Sequence, residues 1–77
     1  MKLIVVNARY FPNMKLHFIN GYTTNKSYTA AYNEAINTIN SVSANAEIEV
    51  ITLTKCIESN ETGLNFGGYH VTAKFKE

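Results

Sequence analysis

Only one segment of this chain has helical periodicity, and period-two segments flank it on both sides. Tyr28, Ala31, Tyr32, Ala35, Ile36, Ile39 and Val42 recur at three- and four-residue spacing and form one apolar stripe. Ser27, or a neighbour, supplies the N-cap, and Ser43-Ala44-Asn45 breaks the helix after Val42. Residues 2–11 read as a strand with Ile4, Val6, Ala8 and Tyr10 on one face. Phe11-Pro12-Asn13-Met14 is a turn, in which Pro12 presets its own φ and Asn13 tolerates tight geometry. A second strand runs from Lys15 to about Thr23, and Thr23 to Lys26 is a polar connection. Beyond the helix, residues 46–58 form a long strand, Ser59 to Gly63 a loop, and Leu64 to Lys76 a last strand. The predicted fold is α+β, in the order ββαββ: a four-stranded antiparallel sheet with one helix packed on a face.

The facing of each strand follows from which side must be buried. An odd loop in the first hairpin, with Phe11 opposite Lys15, sets Tyr10 by Leu16, Ala8 by Phe18 and Ile4 by Tyr22. Leu16, Phe18, Asn20 and Tyr22 then face the core, and Asn7, Arg9, Lys15 and His17 gather on the other side as a basic face. In the third strand the alternation slips, since Ile48 and Val50 share a face and Ile51, Leu53 and Ile57 point the opposite way. A bulge, or burial of both faces, accounts for this. In the last strand Tyr69, Val71, Ala73 and Phe75 alternate cleanly with His70, Thr72, Lys74 and Lys76. Gly67-Gly68 shifts the phase before Tyr69, which predicts a bulge or a close backbone approach. All five tyrosines, Tyr10, Tyr22, Tyr28, Tyr32 and Tyr69, fall on expected core faces.

Seventy-seven residues make a single domain, 1–77, with a thin core. Cys56 is the only cysteine, so no disulfide closes within the chain, and no Cys/His spacing suggests zinc. Self-association is the remaining common support, and we expect a homo-oligomer. The apolar run at Leu3–Val6 is too short for a signal peptide or a membrane span, so we expect a cytoplasmic protein with no membrane contact. Ten asparagines and no aspartate suit an AT-rich genome, such as that of a low-GC bacterium or of a phage or mobile element within one.

Charge is polarised along the chain. Lys2, Arg9, Lys15 and Lys26 precede every carboxylate, giving +4. The remainder, with Glu34, Glu47, Glu49, Glu58, Glu61 and Glu77 against Lys55, Lys74 and Lys76, carries −3. The basic hairpin could meet an acidic protein surface, nucleic-acid phosphates, or the acidic half of a second copy. The helix side opposite the stripe holds Thr29, Asn33, Glu34, Asn37, Thr38, Asn40 and Ser41, with one charge. Composition bias on a solvent face and cover by a partner both explain an amide-rich side.

Catalytic constellations are missing from the sequence. His17 and His70 read as exposed strand residues, and Cys56 as a buried, inert thiol because Lys55 points to the other face. Gly67-Gly68 lacks the Lys-Ser/Thr of a phosphate loop. We therefore expect no enzyme and no cofactor.

Ser27-Tyr28-Thr29-Ala30-Ala31 at the helix start, the long strand from Glu47, and the closing Tyr69-His70-Val71-Thr72-Ala73-Lys74-Phe75 resemble dodecin, a family of small cytosolic flavin-storage proteins of β-α-β-β topology. The resemblance covers about two thirds of the chain and implies a similar topology and an oligomeric habit. This chain opens with a hairpin rather than one strand, and it has no counterpart of the family's flavin-stacking tryptophan, because it has no Trp. No binding residue is carried over.

The expected function is a non-enzymatic protein-binding module, an accessory or inhibitor of a phage or mobile element that occupies a host protein. Its contact residues would be Arg9, Lys15 and His17 on the hairpin and Asn33, Asn37 and Asn40 on the helix. The alternatives are an oligomeric binder of a flavin- or nucleotide-type molecule in tyrosine-lined interface pockets, and a weak nucleic-acid binder through the basic hairpin.

Overall fold

The computed structural model describes residues 3–60 and 63–77, with the backbone alone at 58–60 and 64–66. It is a small α+β domain. The elements are β1 (Ile4–Tyr10), β2 (Leu16–Thr23), α1 (Tyr28–Val42), β3 (Ile48–Asn60) and β4 (Gly63–Phe75). The four strands make one antiparallel sheet in the order β1-β2-β4-β3. The strand last in the chain thus sits inside the sheet, between β2 and β3.

The helix begins and ends where its residue types dictate. The Ser27 side chain accepts a hydrogen bond from the Ala30 amide at 3.3 Å, and the Ser43 amide closes the last turn onto the Ile39 carbonyl. One sheet face packs against α1. Leu16, Ile19, Ile39, Ala73 and Phe75 form one buried cluster, and Leu3, Ala35 and Val71 another. Each large side chain so buried contributes about 1.5–3 kcal/mol.

The helix is rotated relative to its apolar stripe. Glu34 and Thr38, expected on the solvent side, are buried, whereas Tyr28, Tyr32 and Val42 are exposed. Hydrogen bonds explain the rotation. The Thr23 hydroxyl donates to Glu34 Oε2, and Asn25 Nδ2 lies 3.4 Å from Glu34 Oε1. The Thr38 hydroxyl donates to the Glu34 carbonyl at 2.8 Å and accepts from the Leu3 amide at 2.9 Å. Buried polar groups that are satisfied in this way can occupy positions that their residue types do not suggest.

The first hairpin has the expected odd loop. The Phe11 amide donates to the Lys15 carbonyl at 2.8 Å, and Asn13 Oδ1 accepts from the Lys15 amide at 3.0 Å. The left-handed residue is Met14, with φ 70°, not Asn13. Tyr10 pairs with Leu16 and Ile4 with Tyr22, as expected, but Ala8 pairs with Ile19 rather than Phe18. Two bulges, one at Val6 in β1 and one at His17 in β2, offset each other between those end pairs. The facing of β2 is corrected accordingly. Leu16, Ile19, Gly21 and Thr23 are buried on the helix side, and Phe18, Asn20 and Tyr22 lie on the open side. Ile4, Val6 and Tyr10 are exposed, and of the tyrosines only Tyr69 is buried.

Two glycines permit close backbone approaches. A Cβ on Gly21 would lie 2.4 Å from the Ile4 carbonyl oxygen, so its bareness lets the chain start bend over the sheet and bury Leu3 beneath α1. Gly68, with φ 119°, backs onto β2 so closely that a Cβ would sit 2.0 Å from the Thr23 carbonyl oxygen. The register also shifts between Cys56 and Ile57 opposite Gly67, so the glycine pair provides both a bulge and a close approach. The slip expected in β3 is a bulge at Glu49, but it parts Ile48 from Val50 rather than leaving them on one face: Ile48 joins Ile51 on the helix side and Val50 lies on the open side. β3 and β4 extend into the expected loop: Asn60 pairs with Gly63, and residues 61 and 62 of that loop lie outside the described residues. Residue 2 of the first expected strand also lies outside them.

Candidate functional site

The helix covers one face of the sheet and leaves the other open. Alternation along the strands and the observed pairing place three rows on the open face. Arg9, Phe18, Lys74 and Val50 form one row across β1-β2-β4-β3. Asn7, Asn20, Thr72 and Thr52 form the next, and Ile4, Tyr22, His70 and Thr54 the third.

The first two rows enclose a solvent-open basin of about 530 Å³, lined by Asn7, Arg9, His17, Phe18, Asn20 and Lys74. None of these lining residues is acidic. Arg9 and Lys74 stand on strands separated by β2, so their Cα atoms are about 10 Å apart, with Phe18 between them. The bulge at His17 turns its imidazole beside the Phe11 ring, stacked with centroids 4.2 Å apart. The Asn20 side-chain oxygen is buried and has no hydrogen-bond donor among the described residues. A buried acceptor left in this state costs about 1–3 kcal/mol. The basin is therefore a cationic rim over an aromatic floor, with one unfilled acceptor.

The sequence-predicted contact residues divide among three places. Arg9 and His17 meet in the basin with Asn7, as the basic-face argument requires. Lys15 is exposed at the hairpin turn and is not among the basin residues. Asn33, Asn37 and Asn40 are exposed on α1, which covers the opposite sheet face. With Glu34 buried, the exposed side of α1 carries no charge. Lys74, Phe18 and Asn20 were missed as site residues. Lys74 was legible as a non-core position, alternating with Ala73 and Phe75, but only the strand order brings it beside Arg9.

Cys56 is half-buried rather than buried, and pairs with Gly68. His70 lies across from Thr54 and is half-buried rather than exposed. Among the described residues no group of three His, Cys, Asp or Glu side chains could hold a metal ion, and no helix is long and apolar enough to cross a membrane. Comparison with protein-family models, curated proteins and solved structures finds no match.

Proposed function

We propose that this chain is a non-enzymatic protein-binding module, a ββαββ domain that grips an acidic peptide segment of another protein on the open face of its sheet. The observation that carries the reading is the Arg9–Phe18–Lys74 row, two cations on strands either side of an aromatic ring with no acidic residue among the described lining. A carboxylate seated between the two cations is attracted to both. Phe18 offers an apolar floor to the stem of a glutamate or aspartate side chain. The Asn20 oxygen accepts, so it matches a peptide N–H, which a bare inorganic anion does not offer. In a phage or mobile element, a use consistent with the AT-rich composition, such a module would act by occupying an acidic surface of a host protein.

The test is fluorescence anisotropy with a labelled Glu-rich peptide. Arg9→Glu combined with Lys74→Glu should raise the Kd at least about tenfold, a loss of about 1.4 kcal/mol or more. Lys15→Glu, outside the basin, should change it less than about twofold. Equal affinity of the double variant and the wild type would end the reading. Tighter, steeply salt-dependent binding to single-stranded DNA than to the peptide would replace it with nucleic-acid binding.

A further inference from the structure

The two edges of the sheet, β1 and β3, are not alike. β1 keeps an unbroken register with β2 only from Asn7 to Arg9, between one bulge at Val6 and another opposite Arg9. β3 keeps an unbroken register with β4 from Val50 to Cys56, a stretch whose midpoint is Leu53. Along that stretch every second residue turns its N–H and C=O away from β4, which makes a template for another strand. Its sequence, Val-Ile-Thr-Leu-Thr-Lys-Cys, is rich in β-branched residues and holds one charge, Lys55. An apolar step runs beside this edge on the helix side. Glu34 accepts from Thr23 at the end of β2, so that flank of α1 faces β2. Tyr32 and Ile36 lie on the other flank, toward β3. Ile51 and Leu53 pack against the cluster that holds Ala35 and stay half-buried, as does Ile36, and Tyr32 is 38% exposed.

We infer that two copies of this chain pair through the β3 edge, antiparallel about Leu53, so that their sheets join into one of eight strands with both helices on the same side. A two-fold axis through Leu53, perpendicular to the sheet, sets Thr52 opposite the second copy's Thr54, Ile51 opposite its Lys55 and Val50 opposite its Cys56. Every such pair shares a face, as a ladder requires. The occupant is a second copy because the edge complements itself. In length, the register shifts at Glu49 and after Cys56 bound the same regular run in both strands, so the runs match end to end. In charge, each Lys55 falls two residues from the second copy's Glu49 along its strand, while the two Lys55 stand four residues apart, about 13 Å. On the helix side Ile51 and Leu53 of both copies form one strip, with Tyr32 and Ile36 beside it on each flank. The exposed side of α1 has no charge to oppose the approach of the second helix. An isologous contact closes on itself and leaves neither copy with a bare β3 edge. The basin lies on β1, β2 and β4, so the dimer carries two uncovered basins on one face. The inference does not rest on what the basin binds.

Native mass spectrometry and light scattering test this, and wild type should be dimeric at tens of micromolar. Thr52→Lys with Thr54→Lys sets lysine opposite lysine and should raise the dimer Kd at least about tenfold. Thr52→Glu with Thr54→Glu should do the same. Both positions are exposed, and circular dichroism checks that the variants fold. An equimolar mixture of the two variants should restore a dimer that holds one copy of each. Arg9→Glu with Lys74→Glu, away from the edge, should leave the dimer Kd within about twofold. A second measurement needs no variant. As wild type is concentrated from about 1 to 100 μM, hydrogen exchange should slow within residues 51–55 and stay constant within 4–10. A wild-type monomer, a dimer indifferent to the charges at Thr52 and Thr54, a mixture that stays monomeric, or slowing in β1 instead of β3 overturns the inference. The peptide affinity of the basin is read separately by anisotropy, so the failure of either reading leaves the other standing.

Discussion

Replacing Gly68 by alanine tests the tightest joint in the fold. Two costs add. The first is conformational, because φ is 119° at Gly68 and L side chains rarely adopt that region; holding alanine there costs about 1–3 kcal/mol. The second is steric. The new Cβ would meet the Thr23 carbonyl oxygen at 2.0 Å, the Thr24 Cα at 2.9 Å and the Thr23 carbonyl carbon at 3.0 Å. All three are backbone atoms, and Thr23 is held in turn by its hydrogen bond to the buried Glu34. No side chain can rotate aside, so β4 must separate from the end of β2, an overpacking cost of about 1–3 kcal/mol or more. The total is about 2–6 kcal/mol, against the 3–5 kcal/mol that a core of this size rarely exceeds. Urea denaturation followed by circular dichroism reads the outcome. With a slope of about 1 kcal/mol per molar, Gly68→Ala should lower the midpoint by about 2 M or leave no cooperative transition. Gly63→Ala is the control, since its φ is 120° but, among the described residues and apart from its chain neighbours, no atom lies within 4 Å of the added Cβ. It carries the conformational cost alone. If the two variants agreed within about 0.5 kcal/mol, the steric argument would be refuted, and with it the close approach of β4 to β2.

Met14→Gly should stabilise by about 0.5–1 kcal/mol, because Met14 holds φ 70° while its side chain is 78% exposed and packs little; thermal melting reads the gain. Thr38→Val should cost about 1–3 kcal/mol by urea titration, since it keeps the shape but strips the acceptor from the buried Leu3 amide. In the same variant, hydrogen exchange at the Leu3 amide should speed up more than at the Ile19 amide, because the loss is local to the chain start.

The elements were legible where one residue type determines the geometry. Ser27 marks the helix start, Gly67-Gly68 the bulge and close approach, and the slipped alternation a bulge in β3, although it falls at Glu49, before Val50, and not after it. The facing of the first hairpin was not legible. Its bulges fall at Val6 and His17, residues with no preference for such positions, and they cancel at both ends of the ladder. That one-residue offset moved Phe18 and Asn20 from the expected core to the open face, and so hid half of the basin. The helix rotation was hidden for a different reason. Glu34 is an ordinary solvent-face residue until Thr23 and Asn25, on a separate element and its trailing loop, supply donors. Arg9 and His17 were recoverable because hairpin partners are close in sequence. Lys74 was not, because its approach to them depends on the order of strands in the sheet.

The strand order also imposes a sequence in time. The two hairpins, β1-β2 and β3-β4, join neighbours in the chain and can zip within microseconds. The seam between β2 and β4 cannot, because α1 and β3 separate them in the chain and the two hairpins must be brought edge to edge. Until that seam closes, Ile19, Val71 and Ala73 have no common interior, and two long strand margins stand bare. The slow step of folding is therefore a docking of preformed halves, governed by loop closure rather than by helix formation. A crowded, newly made population of such halves would be most prone to pair with the wrong neighbour during that interval.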